Sequence, residues 1–229
     1  MTKDSNHSYR VSTARTRKPR GSLSQEAILD AAEAVAANGF DGLTMRAVAA
    51  RLGAVPMALY NHFATKDQLV DALLDRVLGR FEPEPATDDW IEDLRCFART
   101  HRRLLTRHPW AVAPLFNQPN PGLSAVRVGE LALGILRRGG VSDAAAVAAF
   151  SALIALNYGW ASFTPARDLD PDSPGHDVGA ALAALPPDAF PLTVQTAGEM
   201  GAYGSDAHYD FALDQFLTGL RITARPASG

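Results

Sequence analysis

The stretch Thr44-Met45-Arg46-Ala47-Val48-Ala49-Ala50-Arg51-Leu52-Gly53-Ala54-Val55-Pro56-Met57-Ala58-Leu59-Tyr60-Asn61-His62-Phe63 decides how this chain is read. Thr44 is a good N-cap, because its hydroxyl can accept one of the unpaired N–H groups that open a helix. Val48 and Leu52 recur on one helical face, and Gly53 supplies a turn after them. Pro56 suits the first position of the next helix, where its missing N–H costs nothing. At about 100° per residue, Phe63 and Pro56 fall within about 60° of Leu59, while Met57 and Asn61 fall on the opposite side. Ala58 and Tyr60 take the flanks. The inner face is apolar, and the outer face carries a thioether, a methyl, an amide and a phenol, but no carboxylate.

Any helical hairpin has two short helices and a glycine turn. A merely solvated outer face would more often carry Glu and Lys. A face that enters the major groove needs hydrogen-bonding and methyl-contacting groups and no carboxylate near phosphate. The third helix therefore favours DNA.

Outward from this stretch, Ser24 caps a first helix with Glu26 at its positive end and Ile28, Ala32 and Val35 on one face. Asn38-Gly39 ends it. Thr65-Lys66-Asp67-Gln68 is a capping box that opens a fourth helix through Leu69, Leu73, Val77 and Leu78. Glu82-Pro83-Glu84-Pro85 marks a boundary. Beyond it the periodicity predicts helices over about 88–107, 110–116, 122–139, 142–164, 189–201 and 205–223. The proline-rich segment 165–188 reads as a long connection with a short helix in Val178–Leu185. No run alternates as a strand would. The expected class is all-α, with an N-terminal helix-turn-helix domain at 21–81 (the motif at about 44–63) and a larger helical domain at 86–229.

Residues 1–20 hold Lys3, Arg10, Arg15, Arg17, Lys18 and Arg20 without apolar periodicity, and read as a flexible basic arm. Over residues 1–66 nine Lys/Arg face five Asp/Glu, whereas the remainder holds thirteen against twenty. A basic head on an acidic body fits a protein that lays one end on phosphate; charge alone fits a partnerless basic tail equally well. The lone Cys96 excludes an intramolecular disulfide and, with no secretory signal at the start, points to the cytoplasm.

The run from Leu23 to Ala32 with Gly39-Phe40-Asp41-Gly42-Leu43-Thr44, then Thr44 to Gly53, then Pro56 to Phe63 followed by Lys66, resembles the DNA-binding domain of the tetracycline-repressor (TetR) family. Arg107-His108-Pro109-Trp110 and the apolar helix near 143–163 are similar to the tetracycline-repressor-like C-terminal domains. The resemblance implies a DNA-binding transcriptional regulator, a repressor released from a palindromic operator by a small-molecule effector. It places Thr44, Arg46, Met57, Ala58, Tyr60, Asn61 and His62 at or beside the DNA and Lys66 on phosphate, with packing at the rim of the core as the other role that His62 fits. Val55 stands where many members carry a hydroxyl, which removes a cap worth about 1 kcal/mol. Asn61 stands where a larger residue is frequent.

From Ala144 to Phe163 there is no charged residue. Length alone permits a membrane span, but the alanines, Ser151, Asn157 and Ser162, and the absence of neighbouring spans, argue against one. This helix and the last one, with its Tyr209, Leu213, Phe216 and Leu220 stripe, are expected to pair with their symmetry mates in a homodimer; a monomer core is the alternative. Trp110, Phe116, Asn157, Trp160 and Phe163, joined by His101 and Arg102, are candidates to line an effector pocket. His101 and His108 share a helical face but lack a third ligand, so neither a metal nor any other cofactor is expected. No nucleophile–base pair or paired carboxylates are spaced for catalysis, which leaves a small helical enzyme as a weak rival. A constitutive DNA-binding dimer without effector is the other.

Overall fold

Three hydroxyl caps set the architecture of the head. In the computed structural model, Ser24, Thr44 and Thr65 each accept a hydrogen bond at 3.1 Å, from the N–H of Ala27, Ala47 and Gln68. They open α1 (Gln25–Ala36), α2 (Met45–Leu52) and α4 (Lys66–Leu78), with α3 (Pro56–Tyr60) between the last two. The structure describes residues 23–84, 86–117, 122–168 and 178–224, without the side chains of 164–168 and 223. The expected basic arm at 1–20 lies outside them.

Gln68 departs slightly from the expected capping box. Its Oε1 accepts from the N–H of Ala64 at 2.9 Å rather than from the cap residue, which ties the turn before α4 to the helix. Gly53 sits at φ 64°, the left-handed conformation that closes α2 and that a side chain would strain. α3 ends at Tyr60, earlier than expected, but the N–H of Phe63 still bonds the carbonyl of Leu59 at 3.0 Å. Both of those side chains are therefore buried, at 0% and 6% exposure. α4 stops before the proline run, where Gly79 lets the hydroxyl of Ser124 approach within 3.2 Å of where a Cβ would stand.

The body is built from α5 (Trp90–Arg107), α6 (Pro109–Asn117), α7 (Leu123–Arg138), α8 (Asp143–Asp168) and α12 (Asp206–Thr223). Among the described residues between α8 and α12 there are three short helices, α9 (Val178–Ala183), α10 (Pro191–Gln195) and α11 (Ala197–Gly201). The single helix expected at 189–201 is thus two, broken at Thr196, whose hydroxyl bonds back to the carbonyl of Leu192 at 2.8 Å. Among the described residues there is no strand.

Two apolar clusters make the core. One runs from α1–α4 into the body through Leu104, Leu105, Ala111, Val112, Leu115 and Ala161. The other joins α5, α7, α8 and α12 around Phe97, Leu136, Leu153 and Leu213. Phe81, in the segment after α4, packs on both. On the outside, Arg95, Arg99 and Arg102 of α5 pair with Asp214, Asp210 and Asp206 of α12, one helical turn apart. The pairing follows the antiparallel register of the two helices.

α8 is long and apolar enough to cross a bilayer by length and composition, yet only 28% of its apolar stretch is buried within the chain. Its outer stripe, Val147, Ser151, Ala155, Gly159 and Ser162, is exposed and uncharged. On α12 the stripe expected to meet a symmetry mate turns inward instead, with Tyr209 and Leu213 buried in the second cluster and Phe216 and Leu220 packed on it; the exposed stripe is Phe211, Gln215, Thr218 and Ile222, uncharged as well.

Candidate functional site

The outer surface of the head keeps the pattern that the sequence predicts. Met57 is 71% and Tyr60 45% exposed, Asn61 is exposed, and Ala58 and His62 are half-buried at the flanks. The carbonyl of His62 accepts from Nε2 of Gln25 at 3.4 Å, which sets this residue at the edge where α3 meets α1. Thr44 spends its oxygen on the α2 cap but keeps an O–H to donate, and Arg46 stands exposed one residue into that helix's first turn. Lys66 begins α4, exposed, with its ammonium 5.9 Å from the centre of the Phe40 ring. Val55 caps nothing and is 66% exposed. Thioether, amide, phenol, hydroxyl and two cations thus share the end of the molecule.

A cavity of about 430 Å³ lies between α4, α5, α6, α7 and α8. Leu78 at the end of α4 lines it, with His101, Leu115, Phe150, Ile154 and Tyr158. His101 is 1% exposed and stacked on Phe97, with ring centres 6.2 Å apart. Burial pushes its imidazole down to about 4, so the ring is neutral near pH 7. Behind it, fully buried Asn157 donates from Nδ2 to the carbonyl of Ala98 and to Nδ1 of His101, both at 3.1 Å. Oδ1 of Asn157 accepts from the hydroxyl of Tyr209 at 2.7 Å. Burial raises the Tyr158 phenol to about 12, which keeps it protonated.

Of the expected pocket residues, His101 lines this cavity and Asn157 touches His101 from behind. Phe116 meets the Tyr158 ring edge-on, with centres 5.9 Å apart, and is itself 63% exposed. Trp110 packs against the head core beside His108. Trp160 and Phe163 lie at a different corner with Tyr203 and Tyr209, and the indole N–H of Trp160 donates to the carbonyl of Ser205 at 3.3 Å. Arg102 does not reach this cavity's lining; mostly buried, it lies over the Tyr209 ring and reaches Asp206. Phe150, Ile154 and Tyr158 escaped the sequence reading. Their only signal is the spacing of a helix that is apolar all round. Among the described residues, no group of three His, Cys, Asp or Glu is placed to hold a metal.

Polar contacts tie the cavity to the head. Asp75 of α4 accepts from the N–H and hydroxyl of Ser124 at the start of α7, at 2.8 and 3.1 Å. Arg80, just past α4, grips Glu33 of α1 through both terminal nitrogens at 2.5 and 2.7 Å. This bidentate pair holds the Glu33 carboxyl below its ordinary range, against the opposing effect of burial. The same guanidinium donates to Nε2 of His108 at 2.7 Å, and Nδ1 of that ring donates to the carbonyl of Leu104 at 2.9 Å. A second cavity, about 550 Å³, lies beneath Pro83, Glu84, Ala86 and Thr87 against α5 and α7, with Asp93, Cys96, Glu130 and Arg138 at its walls.

Residues 28–73 match the family of bacterial regulatory proteins of the tetR type, and residues 82–224 match the tetracyclin repressor-like C-terminal domain. An HTH-type transcriptional regulator of Saccharopolyspora erythraea is 32% identical over 88% of this chain and 86% of its own length. The class A tetracycline repressor protein from transposon 1721, in Escherichia coli, is 30% identical over 83% of this chain and 88% of its own. The structure of the Streptomyces coelicolor TetR family protein ActR in complex with actinorhodin superposes with a TM-score of 0.80 at 28% identity, covering 89% of this chain and 99% of that one.

Proposed function

The chain belongs to the TetR family of helix-turn-helix transcriptional regulators, and on that premise we propose that it represses transcription from a near-palindromic operator until a small molecule occupies the cavity between α4 and α8. The observation that carries this reading is the carboxylate-free outer face of α3, held outward by the buried side chains of Leu59 and Phe63. Met57, Ala58, Tyr60 and Asn61 would read base edges in the major groove, with His62 at the margin. Thr44, Arg46 and Lys66 would grip phosphates and set the register. The head at 21–81 and the body at 86–229 divide these tasks, and the protein acts in the cytoplasm without a catalytic role.

The uncharged stripes of α8 and α12 favour a second copy as their cover. Paired across a two-fold axis, they would form a four-helix interface at the regions 142–164 and 205–223 and present two heads to successive major grooves. The complex of ActR with actinorhodin supports a small-molecule effector, and Leu78 gives the cavity a direct hold on α4. Occupancy need shift the spacing of the heads by only about 1–3 kcal/mol of coupling to cut affinity 5- to 150-fold.

A mobility-shift experiment with random-sequence duplex DNA at low ionic strength tests the reading. The protein binds, and changing Arg46 and Lys66 together to alanine removes most of that binding. Wild-type protein that ignores duplex DNA under these conditions contradicts it.

A further inference from the structure

The hydrogen bonds around Asn157 determine which proton His101 carries. The carbonyl of Ala98 can only accept, so the Asn157 atom 3.1 Å from it is the amide nitrogen. Oδ1 therefore faces the Tyr209 hydroxyl, and the second amide N–H faces Nδ1 of His101 at 3.1 Å. Two donors would collide if Nδ1 were protonated. The ring is thus an acceptor at Nδ1 and a donor at Nε2. The side-chain hydrogen bond that His101 makes among the described residues is the one at Nδ1, and the cavity that the ring lines is the space left for an acceptor to Nε2–H.

The remaining lining sharpens the chemistry. Apart from His101, the only residue there with a polar side chain is Tyr158, and every other described lining residue is aliphatic, glycine or Phe150. Neither polar side chain carries charge near pH 7, since burial keeps the imidazole neutral and the phenol protonated. An occupant displaces water from an N–H that opens onto the cavity, so one that supplies an acceptor is favoured over an isostere that does not. A ligand ammonium or amide N–H would meet a donor instead.

We propose that the cavity takes a largely apolar molecule bearing a carbonyl-type oxygen, and that this oxygen accepts from Nε2–H of His101. Tyr209 and Asn157 are positioning residues, since they hold the tautomer without touching the ligand. The proposal rests on the reading of this cavity as the effector site. It is independent of how the head reads DNA.

Two measurements on the full-length protein test it. Long-range proton–nitrogen NMR of the free protein should show His101 protonated at Nε2, and Tyr209→Phe should reduce that tautomer's population. A signal from the Nδ1-protonated ring in the wild type overturns the proposal. The second compares 9-fluorenone with fluorene, which differ only in a carbonyl for a methylene, by titration calorimetry. Wild type should prefer the ketone by about tenfold or more, and His101→Phe should bring the ratio near one while fluorene affinity persists. Equal wild-type affinities, or no binding of either compound, overturn the proposal. If the His101→Phe chain does not fold, the tautomer and the ratio in Tyr209→Phe still decide. Failure here with duplex binding intact removes the ligand chemistry and leaves the regulator; loss of duplex binding with a tenfold ketone preference does the reverse.

Discussion

Asp75 of α4 caps α7: its carboxylate accepts both the N–H and the hydroxyl of Ser124, at 2.8 and 3.1 Å. Gly122, the residue at the N-cap position of α7, offers no side chain for the purpose. The helix that begins with Lys66 in the head therefore supplies the cap of a helix that walls the cavity. If a ligand enters the cavity as proposed, a movement of α7 would be passed to α4 through this hydrogen-bonded cap as well as through apolar contact.

Changing Asp75 to Ala removes this cap. Thermal or denaturant unfolding should show a loss of about 1 kcal/mol, the usual cost of a missing N-cap. The larger effect falls on coupling. Asp75→Ala should bind operator nearly as tightly as wild type, while a saturating ligand releases it less completely. Release indistinguishable from wild type would mean that the cap plays no part in transmission.

Replacing Lys66 with alanine should weaken binding to all DNA sequences alike and reduce the slope of log affinity against log salt by about one. Tyr60→Ala, in contrast, should lower affinity for the preferred site by about 1–3 kcal/mol and leave the salt slope in place. Fluorescence anisotropy across a salt series separates the two. Identical slopes for Lys66→Ala and wild type would remove this lysine from the phosphate contacts.

Stability should fall in mild acid. His101 is held near 4 in the folded chain, against an ordinary value of 6.5. The unfolded chain takes up the proton first, so its contribution is complete above about 6.5 and declines as pH drops toward 4, by about 3 kcal/mol in all. Below that, Glu33 and Asp93, whose folded values are also depressed, add further losses as they protonate. Denaturant titrations between pH 7 and 4.5 should show the decline in wild type and a much flatter profile in His101→Phe. Parallel profiles would show that some other group governs the acid limb.

Ala155→Arg places a charge in the middle of the outer stripe of α8, where the residue is exposed within the single chain. Sedimentation at micromolar concentration should convert a dimer to a monomer, and operator affinity should fall with it because one head holds only one half-site. A variant that stays dimeric would move the interface elsewhere.

The head was legible because its signals are local. Ser24, Thr44 and Thr65 announce helix starts by residue type, and the opposed faces of α3 follow from spacing alone. The body was less so, for a physical reason. α8 is apolar or small around its whole circumference, so periodicity could not tell which positions face α5, which face a void and which face solvent. Asn157, Trp160 and Phe163 looked like one lining because they are neighbours in sequence. In the fold Asn157 turns to His101, while the two aromatics turn to Tyr203 and Tyr209. Polar links such as Asn157 to Tyr209 or Asp75 to Ser124 span about fifty residues and leave no trace in local pattern.

Selection of bound duplexes from a random DNA pool checks the idea that the protein reads DNA through a symmetric pair of α3 helices, since it reports sequence preference and symmetry together. A dimer that reads with α3 should enrich an inverted repeat whose half-sites are centred about one helical turn, roughly 34–36 Å, or a multiple of it, apart. Tyr60→Ala or Asn61→Ala should alter the bases enriched in each half. A pool that converges on nothing, or on a single motif without its inverted mate, would contradict it.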